Sequence, residues 1–344
     1  MILLSVIIPT RNRADLLQLA LQSLQTQTLS AGSFEVLVID NGSTDNTKQI
    51  VTAFQQKLIN IRYFFDSTPG LHVGRHLGMK MAKSDILVYA DDDIEAFPTW
   101  LEAIASTFQD PDVALVGGKN LPKFESEPPG WIQKMWKKDR HGNRILGYLS
   151  ILDLGEEKKK INPYHVFGCN FSIRKSILLA ARGFHPDSVP QDLIRYRGDG
   201  ETYISEFIEK EGMLTIYHPK ASVYHAVPKE RLTLAYFNKR AYNEGISRSF
   251  TEFRRKHNID MADQMNTLIA YTKSIRTMIS GTKIGKVFRM IRKRVKMGFL
   301  EDTELVKIYG QLDEATIEGW RYHRKAMKND PGLRSYVLKD HYLD

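Results

Sequence analysis

The feature that most constrains the fold of this chain is a short apolar run that ends in three consecutive aspartates. Residues 86–90 are apolar and rich in branched or aromatic side chains, a pattern typical of a buried strand. Asp91, Asp92 and Asp93 follow directly, and carboxylates at a strand end lie where open α/β folds bind ligands. Such closely spaced carboxylates favour a cation between them, and hard oxygen ligands suit Mg²⁺ or Mn²⁺. The alternative is an acidic turn that precedes the next helix.

Strands and helices alternate over the first 95 residues. Periodicity predicts buried strands at 2–8, 34–39, 61–65 and 86–90, and amphipathic helices at 14–25, 44–56 and 73–82. Such alternation is typical of βαβ units and a mainly parallel sheet. Right-handed crossovers would bring Thr10, Asp40 and the aspartate triplet to one edge of that sheet. Residues 96–235 are less regular, and the pattern becomes helical from Leu234 onward.

The net charge of +9 is unevenly distributed. Residues 1–235 hold 27 basic and 27 acidic side chains, so the whole excess comes from residues 236–344. A nucleic-acid-binding protein would carry its charge along a binding groove, so this distribution argues against nucleic acid as a partner. Cys169 is the single cysteine, which excludes an intrachain disulfide and favours a reducing compartment. No stretch approaches the roughly 20 apolar residues of a membrane span, and we expect a cytoplasmic protein.

One basic segment stands out within the C-terminal part. Residues 271–300 carry nine Lys or Arg and no acid, and residues 283–299 read as an amphipathic helix. We expect this segment to lie on an anionic membrane surface, at the inner face of the cell membrane. The alternative is a helix that packs its apolar face on the rest of the protein. That face consists of Ile284, Val287, Phe288, Ile291 and Val295.

Several short sequence motifs follow one another along the chain. They are Ser5–Arg13, Val38–Asp45, Gly74–Gly78, Tyr89–Asp93, Gly168–Asn170 and Gly198–Glu201. Together they resemble the inverting nucleotide-sugar glycosyltransferases typified by bacterial family 2 enzymes, which have the GT-A fold. The resemblance covers about residues 2–235. It implies a Rossmann-like α/β domain, with a mainly parallel central sheet flanked by helices, and a helical extension after it.

The same resemblance implies a division of the chain. Residues 1–235 would form the catalytic domain, followed by a basic, mostly helical C-terminal region at 236–344. Within the catalytic domain, residues 1–95 would bind the nucleotide-sugar and residues 96–235 the acceptor.

The resemblance also implies the residues of the donor site. Thr10 and Asp40 would contact the nucleoside, and Arg75 would pair with the diphosphate at a helix N-terminus. Asp93 would be the direct ligand of Mg²⁺ or Mn²⁺, with Asp91 and His225 as further ligands. Taken singly, Asp40 also fits a turn, Arg75 a solvated surface and His225 a structural role. The full set implied for nucleotide-sugar binding is Pro9, Thr10, Arg11, Asp40, Arg75, Asp91 and Asp92.

An inverting transfer needs a base that takes the proton of the acceptor hydroxyl. The family places acids at the start of a helix for this role, and here that segment reads Asp199-Gly200-Glu201. By resemblance Glu201 is the base and Asp199 the second candidate. The alternative is that both are helix N-terminal acids favoured by the macrodipole. Trp131 and Trp136 would either stack on an acceptor or pack a loop onto the core.

The predicted activity is therefore inverting, hexosyltransferase-type transfer from a nucleoside diphosphate sugar, with a UDP-sugar as the first choice. The acceptor would be a saccharide or a lipid-linked saccharide. One rival is a sugar-phosphate nucleotidyltransferase, which would need a glycine-rich phosphate-binding loop after the first strand. The corresponding segment, Pro9–Arg13, has no glycine, which argues against this activity. Another rival is a non-catalytic, membrane-associated scaffold. The acids Asp40, Asp91, Asp93 and Glu201 argue against it.

Overall fold

The computed structural model describes residues 1–257, 259 and 302–343. The predicted alternation of strands and helices is confirmed over the first 95 residues. The strands there are β1 (Leu4–Thr10), β2 (Phe34–Asp40), β3 (Ile61–Phe65), β4 (Ile86–Ala90) and β5 (Ile94–Ala96), and the helices are α1 (Ala14–Leu24), α2 (Thr47–Phe54) and α3 (Leu71–Met81). Helix α2 begins later than predicted because the carboxylate of Asp45 accepts hydrogen bonds from the backbone and hydroxyl of Thr47.

The remaining elements are shorter until the C-terminal helices. The strands are β6 (Val113–Gly117), β7 (Asn120–Phe124), β8 (Arg144–Leu146), β9 (Ile151–Asp153), β10 (Lys159–Lys160), β11 (Asn170–Arg174), β12 (Leu214–Tyr217) and β13 (Val223–Val227). The helices are α4 (Trp100–Thr107), α5 (Gly130–Met135), α6 (Lys175–Ala180), α7 (Glu201–Lys210), α8 (Leu234–Lys256), α9 (Thr303–Asn329) and α10 (Pro331–Val337).

The larger sheet of the described chain has eight strands in the order β10-β12-β6-β11-β4-β1-β2-β3. Strand β1 pairs in parallel with both β2 and β4, and β2 pairs in parallel with β3. Strand β11 runs antiparallel between β4 and β6, so the sheet is mixed. Strands β1 to β4 are parallel to one another. Thr10 lies opposite Asp40 in the register of β1 and β2. The strand ends therefore meet at one edge, as the sequence predicted.

Helix α3 packs closely on this sheet, and this packing determines where the side chains of α3 lie relative to the sheet edge. Every residue of β1, β2 and β4 is buried, because helices cover both faces of these parallel strands. A Cβ atom at Gly78 would lie 2.3 Å from the Cγ2 of Ile7. Glycine thus lets the backbone of α3 approach β1, and this approach brings Arg75 over the sheet edge.

A smaller sheet brings a histidine to the aspartate triplet. Its order is β5-β13-β7-β9-β8, and β13 pairs antiparallel with β5, which directly follows the triplet. His225 lies opposite Ile94 in this pairing, and the backbone amide of Ala226 donates to the carbonyl of Asp93 at 2.9 Å. His225 and Asp93 are consequently neighbours although they are far apart in sequence.

The C-terminal helices form a tight pair. Helices α8 and α9 cross where a Cβ atom at Gly245 would lie 2.0 Å from the carbonyl oxygen of Thr316. One apolar cluster joins these helices to the loops before residue 235, with Ile132, Leu149, Val227, Phe237, Ala241, Ile308 and Leu312 among its members. Trp131 borders this cluster and meets the ring of Phe237 edge to face at 4.8 Å. The domain boundary at 235 stays a prediction.

The predicted basic helix at 283–299 and the basic segment at 271–300 lie outside the described residues. Among the helices that the structure describes, none is long and apolar enough to span a membrane.

Candidate active site

A cavity of about 530 Å³ opens at the edge where β1 and β4 end. Its floor is the aspartate triplet, and a segment around Ser188 and the start of helix α8 form its sides. Of the residues implied by resemblance, it is lined by Pro9, Thr10, Arg11, Asp91, Asp92, Asp93 and His225. A second cavity of about 200 Å³ shares Asp91 with the first and contains Arg75, Asp199 and Glu201. Except for Asp40, the predicted donor and acceptor residues thus line these two adjoining cavities, which form one cleft.

Asp91, Asp93 and His225 form a triad of side chains that fits a divalent cation. One ligand atom from each residue lies within 4.8 Å of the other two. His225 Nε2 lies 3.3 Å from Asp93 Oδ1, and its Nδ1 lies 3.0 Å from the carbonyl oxygen of Leu149. Because a carbonyl only accepts, Nδ1 carries a proton, and Nε2 is the nitrogen that faces Asp93. The two carboxylates are ligands that suit Mn²⁺ or Mg²⁺.

Two arginines that the sequence interpretation missed hold the triplet in place. Arg13 donates to Asp92 Oδ1 at 2.5 Å and lies 3.2 Å from Asp93 Oδ2, and Arg231 donates to the same Asp93 oxygen at 3.0 Å. Burial alone would raise the pKa of Asp93, but His225 and the two guanidinium groups hold that pKa below its usual range. Asp93 is therefore ionised at neutral pH. Arg13 stands within the Ser5–Arg13 motif, which could have indicated it, whereas no motif contained Arg231.

Asp92 is turned away from the triad. Its Oδ2 accepts a hydrogen bond from Thr10 Oγ1 at 2.8 Å, and its other oxygen meets Arg13. Burial raises the pKa of Asp92 to about 7, although Arg13 acts in the opposite direction. The middle aspartate thus joins the ends of β1 and β4, whereas Asp91 and Asp93 belong to the triad with His225.

Arg75 connects the triad with the second cavity. Its side chain is 3% exposed, and it donates from Nη1 to Glu201 Oε2 at 3.2 Å, while Nη2 lies 3.9 Å from Asp91 Oδ1. The guanidinium lies over the ring of Phe184, 5.0 Å from its centre. Glu201 also accepts from the backbone amide of Gly168 at 3.2 Å, and its side chain remains 26% exposed. Arg75 therefore engages the predicted base and a predicted metal ligand.

The two acids at the start of α7, Asp199 and Glu201, differ in solvent access. Asp199 has a side chain that is 5% exposed; its Oδ1 lies 2.6 Å from His185 Nδ1, and its Oδ2 accepts from Thr251 Oγ1. Glu201 keeps an exposed carboxylate at the cleft. The geometry consequently favours Glu201 for contact with an acceptor.

Asp40 is the predicted site residue that lines neither cavity. It is 2% exposed, its Oδ2 accepts from Tyr63 Oη at 2.7 Å, and its Oδ1 accepts from the amide of Ser43 at 2.7 Å. The next residue, Asn41, lines the cavity in its place. A contact between Asp40 and a nucleoside stays a prediction.

The family model for glycosyl transferase family 2 matches residues 5–180, which is more than half of the chain. The chain belongs to glycosyl transferase family 2. This family match contains the three strand ends of the donor edge together with Arg75, Gly168 and Cys169. His225 and Glu201 lie beyond it, so their roles depend on the geometry described above.

Two curated relatives each match about a third of this family 2 chain. The glycosyltransferase AglE of Haloferax volcanii is 37% identical over 115 residues, which is 33% of this chain and 38% of that protein. A validoxylamine A glucosyltransferase of Streptomyces hygroscopicus subsp. jinggangensis is 37% identical over 116 residues, which is 33% of this chain and 27% of that protein. Each match thus spans well under half of the relative.

A solved structure extends the likeness over nearly the whole chain. The mannosyltransferase PcManGT of Pyrobaculum calidifontis, in complex with GDP-Man and Mn²⁺, covers 93% of this chain, and 86% of its own chain is covered in turn. The TM-score is 0.53 and the sequence identity 16%, so the likeness shows the GT-A fold that the sequence predicted.

Proposed function

We propose that this family 2 protein is a metal-dependent, inverting glycosyltransferase. It would move a hexosyl group from a nucleoside diphosphate sugar to a saccharide or lipid-linked saccharide. The observation that carries the proposal is the triad of Asp91, Asp93 and His225 beside a partly exposed Glu201 in one cleft. Membership of the family supports a nucleotide-sugar donor. The complex of PcManGT with GDP-Man and Mn²⁺ supports the pairing of such a donor with a divalent ion.

The triad would hold Mg²⁺ or Mn²⁺. When bound, the ion supplies positive charge that offsets the negative charge on the departing nucleoside diphosphate. Arg13 and Arg231 keep Asp93 ionised and in place for this role. Asp92 and Thr10 join the two strand ends, so the first cavity keeps its shape around the nucleotide.

Glu201 would act as the general base. Its carboxylate takes the proton of an acceptor hydroxyl while that oxygen forms a bond to the anomeric carbon. The bond between the anomeric carbon and the diphosphate oxygen breaks on the opposite face, which inverts the configuration. Arg75 and the amide of Gly168 hold Glu201 with two hydrogen bonds, so the carboxylate is oriented before the acceptor arrives.

The choice of donor and the place of action are further parts of the proposal. We expect a UDP-sugar as donor, with Asp40 and Arg11 beside the base and Arg11 stacking on its ring. A cytoplasmic location and an attachment of residues 271–300 to an anionic membrane stay predictions from the sequence.

A donor screen tests the proposal. Melting temperatures are measured with UDP, GDP and their common sugars, each with Mn²⁺, with Mg²⁺ and with chelator, and sugar release or transfer is followed for every donor that raises the melting temperature. We expect a shift with at least one nucleotide that needs the metal. If no nucleoside diphosphate or sugar derivative shifts the melting temperature under any condition, the proposal is wrong.

A further inference from the structure

The segment that precedes α7 is fastened to helix α8 at consecutive positions. Ser247 Oγ donates to the carbonyl oxygen of Gly198 at 2.6 Å, and Thr251 Oγ1 donates to Asp199 Oδ2. Ser247 and Thr251 lie one helical turn apart, so both side chains face the same way. Helix α8 thus holds the backbone of Gly198 and the side chain of Asp199, which lie just before the proposed base Glu201.

Asp199 is bound on its other side by His185. This histidine stacks on Tyr203 of α7, with ring centres 3.9 Å apart, and meets the rings of Phe250 and Tyr342 at their edges. The ring of Tyr342 is in turn held by Arg254, which is 1% exposed and donates to the carbonyl oxygens of Val337 and Lys339 at 2.6 Å. His185 is therefore seated by residues of α7, α8 and the segment after α10.

A single residue, Gly200, separates Asp199 from Glu201, so the contacts that hold Asp199 also restrain Glu201. Gly200 has a φ of +55° and precedes α7, and the amide of Thr202 donates to the carbonyl oxygen of Asp199 at 3.0 Å. A Cβ atom at Gly200 would lie 2.9 Å from Asp187 Oδ2, so the turn has little space to move. A displacement of Asp199 would therefore displace the first residue of α7, which is Glu201.

The chemistry of Asp199 also suits a structural role better than proton transfer. Burial would raise the pKa of Asp199, but His185 and the hydroxyl of Thr251 hold that pKa below its usual value. A carboxylate that is already bound on both oxygens and is a weak base has little to offer an acceptor hydroxyl.

We propose that Asp199, His185 and Thr251 form a clamp that positions the carboxylate of Glu201, so that the C-terminal helices act on the general base. This inference rests on the proposed function and assigns Asp199 and His185 as positioning residues. The clamp joins the segment at 185–201 to helix α8, which lies outside the region matched by the family model.

The test uses Thr251→Val, which keeps the shape of the side chain and removes its hydroxyl. The matched control is Thr316→Val in α9, because Thr316 Oγ1 donates to the carbonyl oxygen of Leu312 one turn earlier, and Thr251 makes the same type of bond to Ser247. We expect Thr251→Val to lower kcat about tenfold to a hundredfold, with KM for donor and acceptor changed less than about twofold. Thr316→Val should keep the kcat of the wild type, and Thr251→Ser should restore it.

A second measurement does not depend on activity. Amide hydrogen exchange at Thr202 should be faster in Thr251→Val than in Thr316→Val, because the turn that protects this amide is released. Unchanged exchange at Thr202 would overturn the clamp, as would a wild-type kcat in Thr251→Val or an Asp199→Asn variant as inactive as Glu201→Gln. If the wild type uses no nucleoside diphosphate sugar, the proposed function fails, and the exchange measurement still decides on the clamp.

Discussion

The acids on the two sides of the cleft are held in different ways. On the donor side, Asp93 is bound by His225 of strand β13 and by Arg13 and Arg231, which lie in the segments that follow β1 and β13. On the acceptor side, Asp199 is bound by His185 and by Thr251 of a long C-terminal helix. The donor side keeps its carboxylates beside an open cavity, whereas on the acceptor side the side chain of Glu201 is 26% exposed and that of Asp199 is 5% exposed.

The donor side therefore depends on the core sheet, and the acceptor side depends in addition on the C-terminal helices. Strand pairing alone places Thr10 beside Asp40 and brings β4 to the same edge. Glu201 has a second support, because its segment is packed against α8 while Arg75 reaches it from α3. Changes on the donor side should therefore affect metal and nucleotide binding, and changes on the acceptor side should affect turnover.

The largest effect is expected for Asp93→Asn, which removes a charge from the triad and keeps the size of the side chain. Transfer should fall below detection, and the gain in nucleotide affinity that Mn²⁺ provides should disappear, because a direct ligand is worth more than the 10–100-fold typical of its supporting contacts. Calorimetry with Mn²⁺ and with chelator measures this gain. Asp92→Asn is the control within the same triplet and should keep it. An Asp93→Asn protein that still responds to Mn²⁺ would remove Asp93 from the metal site.

Glu201→Gln should come next. Because a positioned general base contributes about 10²–10⁴-fold, kcat should fall by that factor while donor affinity stays near that of the wild type. Steady-state kinetics together with nucleotide binding separate the two quantities. The opposite pattern, with Asp199→Asn inactive and Glu201→Gln nearly normal, would move the base to Asp199 and erase the contrast between the two acids.

Arg75→Lys tests the connection between the two sides. The planar guanidinium reaches Glu201 and Asp91 together, whereas an ammonium is a single point of charge, so we expect kcat to fall about tenfold to a hundredfold. The comparison of kcat with donor KM is the measurement. A raised donor KM with normal kcat would instead assign Arg75 to the diphosphate, as the family resemblance implies.

The smallest expected effect is on the free energy of unfolding of the protein, through a buried histidine near the acceptor side. His76 of α3 is 3% exposed, its Nε2 accepts from the amide of Phe184 at 2.8 Å, and burial lowers its pKa to about 3. In the unfolded chain a histidine titrates near 6.5, so protons favour the unfolded state between these values. The stability that neutral His76 contributes is present above about pH 6.5 and is lost as the pH falls towards 3.

For one such histidine the loss between pH 7 and pH 5 is about 2 kcal/mol. Denaturant unfolding of the wild type and of His76→Gln at both pH values measures it, since glutamine can still accept from Phe184 but does not titrate. Equal losses in the two proteins would contradict the assignment. A reduced loss in the variant would show that low pH weakens the packing beneath Arg75.

Much of the donor side could be predicted from the sequence. The apolar runs that became β1, β2 and β4 are buried on both faces, so their length and composition are sufficient to identify them. The aspartate triplet follows one of them directly, and parallel pairing then determines the edge at which it lies. His225 was expected beside the metal only by resemblance, because its approach depends on the pairing of β13 with β5.

The acceptor side was less accessible from the sequence. Nothing near Arg231 or Thr251 marks these residues, since a single arginine or threonine carries no periodic signal. Resemblance could rank Glu201 above Asp199, but the physical difference between them is access, and access depends on which side chains pack around each carboxylate. Trp131 illustrates the same limit, because its position against Phe237 is a property of the packed loop and helix.

The alternating α/β pattern, the edge that carries the carboxylates and the neutral charge of the first 235 residues can all be derived from the amino-acid order. These properties follow from local composition, periodicity and the chirality of strand connections. The contacts of Arg13 and Arg231 with Asp93, of Arg75 with Asp91 and Glu201, and of α8 with Asp199 depend instead on the packed fold. Such contacts join residues far apart in the chain, and they form only when sheet and helices have packed, because a local pattern carries no information about its distant partner.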